Sequence, residues 1–310
     1  MSDATLRSPF VWHELMTTDT KSAAGFFAKV VGWKTKPHAQ DPSYTLFVAK
    51  NRPMAGLMLI PADAKAMGVP PNWLTYIGTP NVDDTARQAT ALGGKILKQP
   101  ADIPTVGRFA VIQDPQGAVF AAFTPAQGSQ GPQADAPPTV GDFSWHELAT
   151  TDWRGALTFY QRLFGWEETS AMEMGPEMGT YQMYGWKGKT LGGMFNKPAR
   201  MPGPPSWLPY IKVTDSKKAA ATVKNLGGRV VHGPVEVPGG DWIAQGMDLQ
   251  GAMFAVHSAK PAAKGKAAKP KKAKRRAARK PVRKAKKAGR KSAARRSKGK
   301  KKSGSKKRRR

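Results

Sequence analysis

The sequence predicts an α+β fold of four β-α-β-β-β units in two tandem copies, followed by a disordered basic tail. Three observations carry this expectation. The phrase FVWHELMTTD at Phe10–Asp19 returns as FSWHELATTD at Phe143–Asp152, and 12 of 24 positions agree without a gap between Phe10–Trp33 and Phe143–Trp166. Agreement at that density marks an internal duplication. Within each copy, short strand-like runs alternate with two amphipathic, helix-like runs. The charge is also divided: of 51 Lys and Arg residues, 28 lie from Lys260 onward with no Asp or Glu among them, which leaves 23 basic and 21 acidic residues elsewhere. The net charge of +30 therefore belongs to the tail, and the body is nearly neutral.

The elements follow in order. Phe10–Thr17 reads as a strand-like run. Asp19 is placed to cap a helix over Thr20–Val31, and Gly32 to end it. Strands are expected around Tyr44–Ala49 and Ala55–Ile60. A second unit opens with a strand at Trp73–Thr79 and a helix at Val82–Leu92, stopped by Gly93 and Gly94. Strands near Lys95–Lys98, Arg108–Gln113 and Ala118–Phe123 complete it, the last two joined by a tight turn at Asp114–Gly117. The later copy repeats the pattern: WLTYI at Trp73 matches WLPYI at Trp207, LGGKIL at Leu92 matches LGGRVV at Leu226, and DPQGAVFA at Asp114 matches DLQGAMFA at Asp248. The Pro-, Gly- and Gln-rich stretch between the copies reads as a linker. The expected boundaries are a first domain over residues 1–125, a linker over 126–141, a second domain over 142–259 and the tail over 260–310.

Paired units of this kind, with the phrases GRFAVIQDPQGAVF (Gly107–Phe120) and FYQRLFGW (Phe159–Trp166), resemble the vicinal oxygen chelate superfamily, the glyoxalase, bleomycin-resistance and dioxygenase domains. The resemblance covers about residues 8–258. It implies sheets that curl around a cavity, with helices outside. The fold hosts lyases, isomerases, dioxygenases and pure binding proteins, so it does not fix a function. It also implies where metal ligands would fall. Aligned on Leu15 and Leu148, the first-strand ligand position is Trp12 or Trp145, one residue before His13 or His146. The other ligand positions fall on Leu74 and Leu208, Met58 and Phe195, and Ala121 and Ala255. None of these side chains binds a divalent ion well, so no metal and no cofactor is expected. His13 and His146 are expected to face the helix layer, because one residue along a strand changes the face.

With that register, Trp12, Glu14, Trp145 and Glu147 line the pockets. Tyr76 and Tyr210 are expected to add hydroxyls, Arg108 to bind an anionic group at the lip of the first pocket, and its counterpart Trp242 to make the second pocket different. The Trp rings offer a stacking wall. Each Glu offers a hydrogen-bond acceptor, or a general base if burial raises its pKa. The partner implied is an unidentified small molecule, bound or turned over by a glyoxalase-like lyase, isomerase or dioxygenase-type reaction, a metal-dependent one if the register instead turns His13 and His146 to the pockets.

The absence of Cys excludes disulfides, thiolate metal sites and Cys nucleophiles. No apolar run is long enough for a bilayer, and the start does not read as a signal peptide, so no membrane insertion is expected. The tail is built of Lys, Arg, Ala, Gly, Ser and Pro, which cannot form a core. Its cations, among them Lys271, Lys272, Lys274, Arg275, Arg276, Arg279, Lys280, Arg283 and Lys284, are expected to bind nucleic acid without sequence preference. That reading places the protein in the cytoplasm, at the nucleoid. A third possibility is a nucleoid-associated protein whose body is only structural.

Overall fold

The computed structural model describes residues 10–127 and 137–260. The tail cations named above, Lys271 through Lys284, lie outside the described residues.

Each copy builds one eight-stranded mixed sheet. In the first, β1 (Phe10–Thr17), α1 (Thr20–Val30), β2 (Lys34–Pro37), β3 (Thr45–Ala49) and β4 (Arg52–Leu59) form one unit. A short helix, α2 (Ala62–Ala66), leads to β5 (Asn72–Gly78), α3 (Val82–Ala91), β6 (Lys95–Ile103), β7 (Gly107–Gln113) and β8 (Val119–Pro125). The strand order is β2-β3-β4-β1-β5-β8-β7-β6. Each unit's first strand thus takes the centre, and β1 and β5 run antiparallel there. The second copy repeats this with β9 (Phe143–Thr150), α4 (Trp153–Phe164), β10 (Glu167–Glu173), β11 (Thr180–Trp186), β12 (Lys189–Asn196), β13 (Ser206–Lys212), α5 (Ser216–Asn225), β14 (Arg229–Glu236), β15 (Trp242–Met247) and β16 (Met253–Ser258), in the equivalent order.

The helices start and stop for the reasons the sequence offers. The Asp19 carboxylate accepts from the Ser22 N–H at 2.9 Å, and Asp152 caps α4 in the same way. Along α1 the buried residues are Ala23, Phe26, Phe27 and Val30, one stripe at helical spacing. Gly165 closes α4 with φ 73°, a left-handed conformation that suits glycine.

Three features differ from the sequence expectation, the first being the short helix α2. β2 is fully exposed and shows no alternation, so its pattern is silent. β6 continues through Pro100 to Ile103 because it is an edge strand with register shifts on either side of Lys98, where a missing N–H costs little.

The helix-bearing faces of the two sheets are packed together. One buried cluster joins Leu15, Phe26, Phe27, Trp33, Phe47 and Trp73 of the first copy to Ile211, Val223, Phe254 and Val256 of the second. The other joins Ile77, Ile112 and Phe120 to Leu148, Leu157, Tyr160, Phe164, Trp166 and Trp207. Each core is therefore shared between one unit of one copy and the opposite unit of the other. The faces turned away from the helices are left to carry the site.

Candidate functional site

Strand alternation sorts β1 into two sets. His13 and Leu15 point into the layer between the copies, while Trp12, Glu14 and Met16 lie on the helix-free face. On that face Glu14 is 8% exposed. Its Oε1 accepts from the Tyr44 hydroxyl at 2.7 Å and its Oε2 from the Tyr76 hydroxyl at 3.0 Å. The Trp12 indole N–H donates to the Tyr44 oxygen at 3.0 Å. Half-buried Phe109, Val111, Val119 and Phe123 surround Leu74, Tyr76 and Ala121.

The second copy repeats the arrangement. Trp145 donates to Tyr181 at 2.8 Å, and Tyr181 and Tyr210 donate to Glu147 Oε2 at 3.1 and 3.0 Å. Here the other carboxylate oxygen is also occupied: Gln245 Nε2 donates to Oε1 at 3.1 Å and to the Tyr210 oxygen at 2.8 Å. The first copy has Val111 in place of Gln245.

Tyr44, just before β3, and Tyr181, on β11, reach their carboxylates because the neighbouring strand, β4 or β12, carries a glycine. A Cβ on Gly56 would lie within the Tyr44 ring, and one on Gly193 within the Tyr181 ring. The rings fold down onto bare backbone, which a side chain at either position would prevent.

Burial raises the pKa of both carboxyls against the opposing effect of their hydrogen bonds, and that of Glu147 reaches about 7. Burial also pushes all four tyrosines upward, so they remain protonated donors. An ionised carboxylate has about four lone-pair positions, so each can still accept from a bound molecule. The indole N–H groups are used internally. What Trp12 and Trp145 present outward is ring surface.

Of the sequence candidates, Trp12, Glu14 and Tyr76 come together, as do Trp145, Glu147 and Tyr210. Arg108 and Trp242 do not, which corrects their placement at the pockets. Arg108 shares its face of β7 with Ala110 and Ile112, which pack in the interior. It pairs with Asp83 of α3 at 2.8 Å and Asp102 of β6 at 2.9 Å. Trp242 shares its face with buried Ala244 and lies under the Lys217 ammonium of α5, 3.5 Å from the ring centroid. The asymmetry between the pockets comes instead from Gln245 against Val111. Three residues that bond to the carboxylates were missed from the sequence: Tyr44, Tyr181 and Gln245. The two tyrosines are 137 residues apart, as are Gly56 and Gly193, and an alignment that allowed for loop insertion would have paired them.

His13 and His146 meet between the copies, Nε2 to Nε2 at 2.8 Å, with His13 stacked on Phe143 and His146 on Phe10. Burial holds both well below the usual imidazole pKa, His146 at about 3. Among the described residues, no group of three His, Asp or Glu side chains is placed to hold a metal ion. The family's ligand positions carry Trp12, Leu74, Met58 and Ala121 in one copy and Trp145, Leu208, Phe195 and Ala255 in the other, so the residues present do not fit a divalent ion.

Two sheets of paired β-α-β-β-β units, each with a site on its helix-free face, define a tandem member of one fold class. The chain belongs to the Glyoxalase/Bleomycin resistance protein/Dioxygenase superfamily, whose sequence profile matches residues 10–121. It is 30% identical to the Mycobacterium tuberculosis protein named "Putative glyoxylase CFP32", over 81% of this chain and 94% of that one. It is 27% identical to the anthracycline biosynthesis protein DauV of Streptomyces sp., again over 81% and 94%. The Mn(II)-bound glyoxalase of Novosphingobium aromaticivorans shares the fold, with a TM-score of 0.54 at 15% identity over 82% of each chain. No helix among the described residues is long and apolar enough to cross a membrane.

Proposed function

We propose that the protein is a metal-free small-molecule-binding member of the superfamily, with one ligand site on the helix-free face of each sheet. The observation that carries this reading is the twice-built chain of Trp, Tyr, Glu and Tyr. Two buried carboxylates, each held by protonated tyrosines beside an indole face, are costly to bury for packing alone. The arrangement suits a planar, mainly apolar molecule that stacks on Trp12 or Trp145 and donates a hydrogen bond to Glu14 or Glu147. The anthracycline pathway in the name of one relative makes a polycyclic aromatic phenol a rational first probe. Titration of such a probe against tryptophan fluorescence should show saturable quenching that weakens in Trp12→Ala and Trp145→Ala. Quenching unchanged in both variants would place binding elsewhere.

A second reading, a glyoxalase-like lyase or isomerase, is favoured by one observation. Glu147 has its pKa near 7, where a carboxyl can both take and return a proton. Turnover that disappears in Glu147→Gln, in protein freed of metal, would distinguish this from binding alone.

The basic tail is proposed to tie the body to nucleic acid, and so to the nucleoid, through phosphate contacts without base readout. Its support is charge density: 28 cations without one acidic residue from Lys260 onward. Closely spaced cations displace counterions from the phosphate backbone.

A further inference from the structure

The second copy carries a polar constellation that the first lacks. The register between β9 and β13 slips between the Trp145–Tyr210 and Phe143–Ile211 pairs, so Ser144 is a bulge residue. Bulges re-aim side chains and recur beside active sites. Here the Ser144 hydroxyl, 3.4 Å from the Tyr210 carbonyl oxygen, lies 3.0 Å from His257 Nδ1 on β16. His257 Nε2 in turn lies 2.8 Å from Asp241 Oδ2, and the other Asp241 oxygen accepts the Lys260 backbone N–H at 3.0 Å.

The chemistry of this chain is directional. The hydrogen bond with His257 holds the Asp241 carboxyl below its usual range, so it is ionised and accepts. Nε2 then carries the imidazole proton, and Nδ1 presents its lone pair to the Ser144 hydroxyl. His257 lies opposite Ile243 across the β15–β16 pair, and Gln245, two residues along the same face, reaches Glu147. The constellation therefore sits on the helix-free face of the second sheet, beside half-buried Ile243. The His257 side chain is 19% exposed, which leaves it within reach of a bound molecule. Packing does not require these groups. The first copy folds the same bulge with Val11, and has Phe123 for His257 and Gly107 for Asp241.

We propose that Ser144 is a nucleophile activated by His257 and oriented by Asp241, and that the second copy cleaves carboxylic esters with an apolar acyl group. Ser144 Oγ bonds to the ester carbonyl carbon as its proton passes to His257 Nδ1. The carbon–alkoxy bond breaks and the alcohol leaves with that proton. Water then attacks the acyl-serine, again giving its proton to Nδ1. The carboxylic acid departs as the proton returns to Ser144. His257 acts as general base and acid, and Asp241 is a positioning residue that fixes the tautomer.

The test uses the full chain and a fluorophosphonate probe, with the modified residue located by peptide mass mapping. The expected result is one adduct, on Ser144, and none on that peptide in Ser144→Ala. Labelling should slow at least tenfold in His257→Gln and Asp241→Asn, with Asp241→Glu recovering part of the rate. Melting curves of the four variants keep folding separate from reactivity, and an unfolded variant is replaced in the comparison by His257→Ala or Asp241→Ser. No adduct on Ser144 after hours at millimolar probe would overturn the proposal. So would adduct formation at the wild-type rate in folded His257 and Asp241 variants.

Discussion

At the scale of single residues, the buried carboxyls and imidazoles respond to pH in opposite directions. Glu147 has a folded pKa near 7 against 4.5 for a glutamate in water, so its contribution to stability is complete below about 4.5 and is lost as pH rises through 7. His146, at about 3 against 6.5, contributes fully above about 6.5 and loses that contribution as pH falls toward 3. Between pH 5 and 7.5 each effect is about 2 kcal/mol, and in the intact protein they offset one another. Glu147→Gln removes one side of the balance. Its melting temperature should exceed wild type at pH 7.5 and fall more steeply than wild type on acidification to pH 5. Parallel melting profiles would show that Glu147 is not held near neutrality. The same substitution, and Glu14→Gln, should weaken a bound probe by about 1.5–3 kcal/mol, the range for a hydrogen bond to a charged group. His13→Ala should instead leave His146 without its ring partner and cost about 1–3 kcal/mol of stability, read as a lower melting temperature with probe affinity retained.

At the scale of elements, the first strand of each copy was the most legible part of the chain. From Trp12 onward its side chains change face at every residue, and the duplication repeats the phrase, which fixes the faces of Trp12, Glu14 and His13. β7 was not legible in this way. Phe109, Ala110, Val111 and Ile112 are apolar on both faces, so alternation could not say which face Arg108 shares. Tyr44 and Tyr181 were hidden for another reason. The copies keep an offset of 133 residues through the first helix and 134 after the second unit begins, but 137 at Tyr44 and Tyr181, because the connecting loops differ in length. Gly56 and Gly193 are the element-level signature of those tyrosines. Gly56→Ala and Gly193→Ala should lift the rings from the sheet and break the Tyr44–Glu14 and Tyr181–Glu147 hydrogen bonds. Tyrosine ring NMR shifts that match wild type in both variants would contradict this packing argument.

At the scale of the whole molecule, the internal repeat announced two domains, but it did not show that they share their cores. A helix stripe reads the same whichever sheet covers it. Because Phe26 and Phe27 pack with Phe254, and Phe120 packs with Tyr160, neither copy encloses its own interior. A chain ended at residue 127 should therefore be unfolded or dimeric, and a cooperatively melting monomer in sedimentation would contradict the shared core. The tail belongs to this scale too. Removing residues from Pro261 onward keeps the Lys260 contact to Asp241 and should leave the melting of the body unchanged while abolishing duplex binding. The intact protein should bind duplexes of different sequence alike, with affinity falling about 10³–10⁵ between 50 and 200 mM salt if roughly 6–10 phosphates are engaged.

The proposed carboxylate-based, metal-free ligand sites are open to native mass spectrometry of protein taken from its own cells. Up to two small organic molecules per chain and no stoichiometric divalent ion are expected, with the organic adducts lost when Glu14→Gln and Glu147→Gln are combined. A chain carrying about one Zn, Ni, Mn or Fe per copy, released by His13→Ala or His146→Ala, would contradict that expectation.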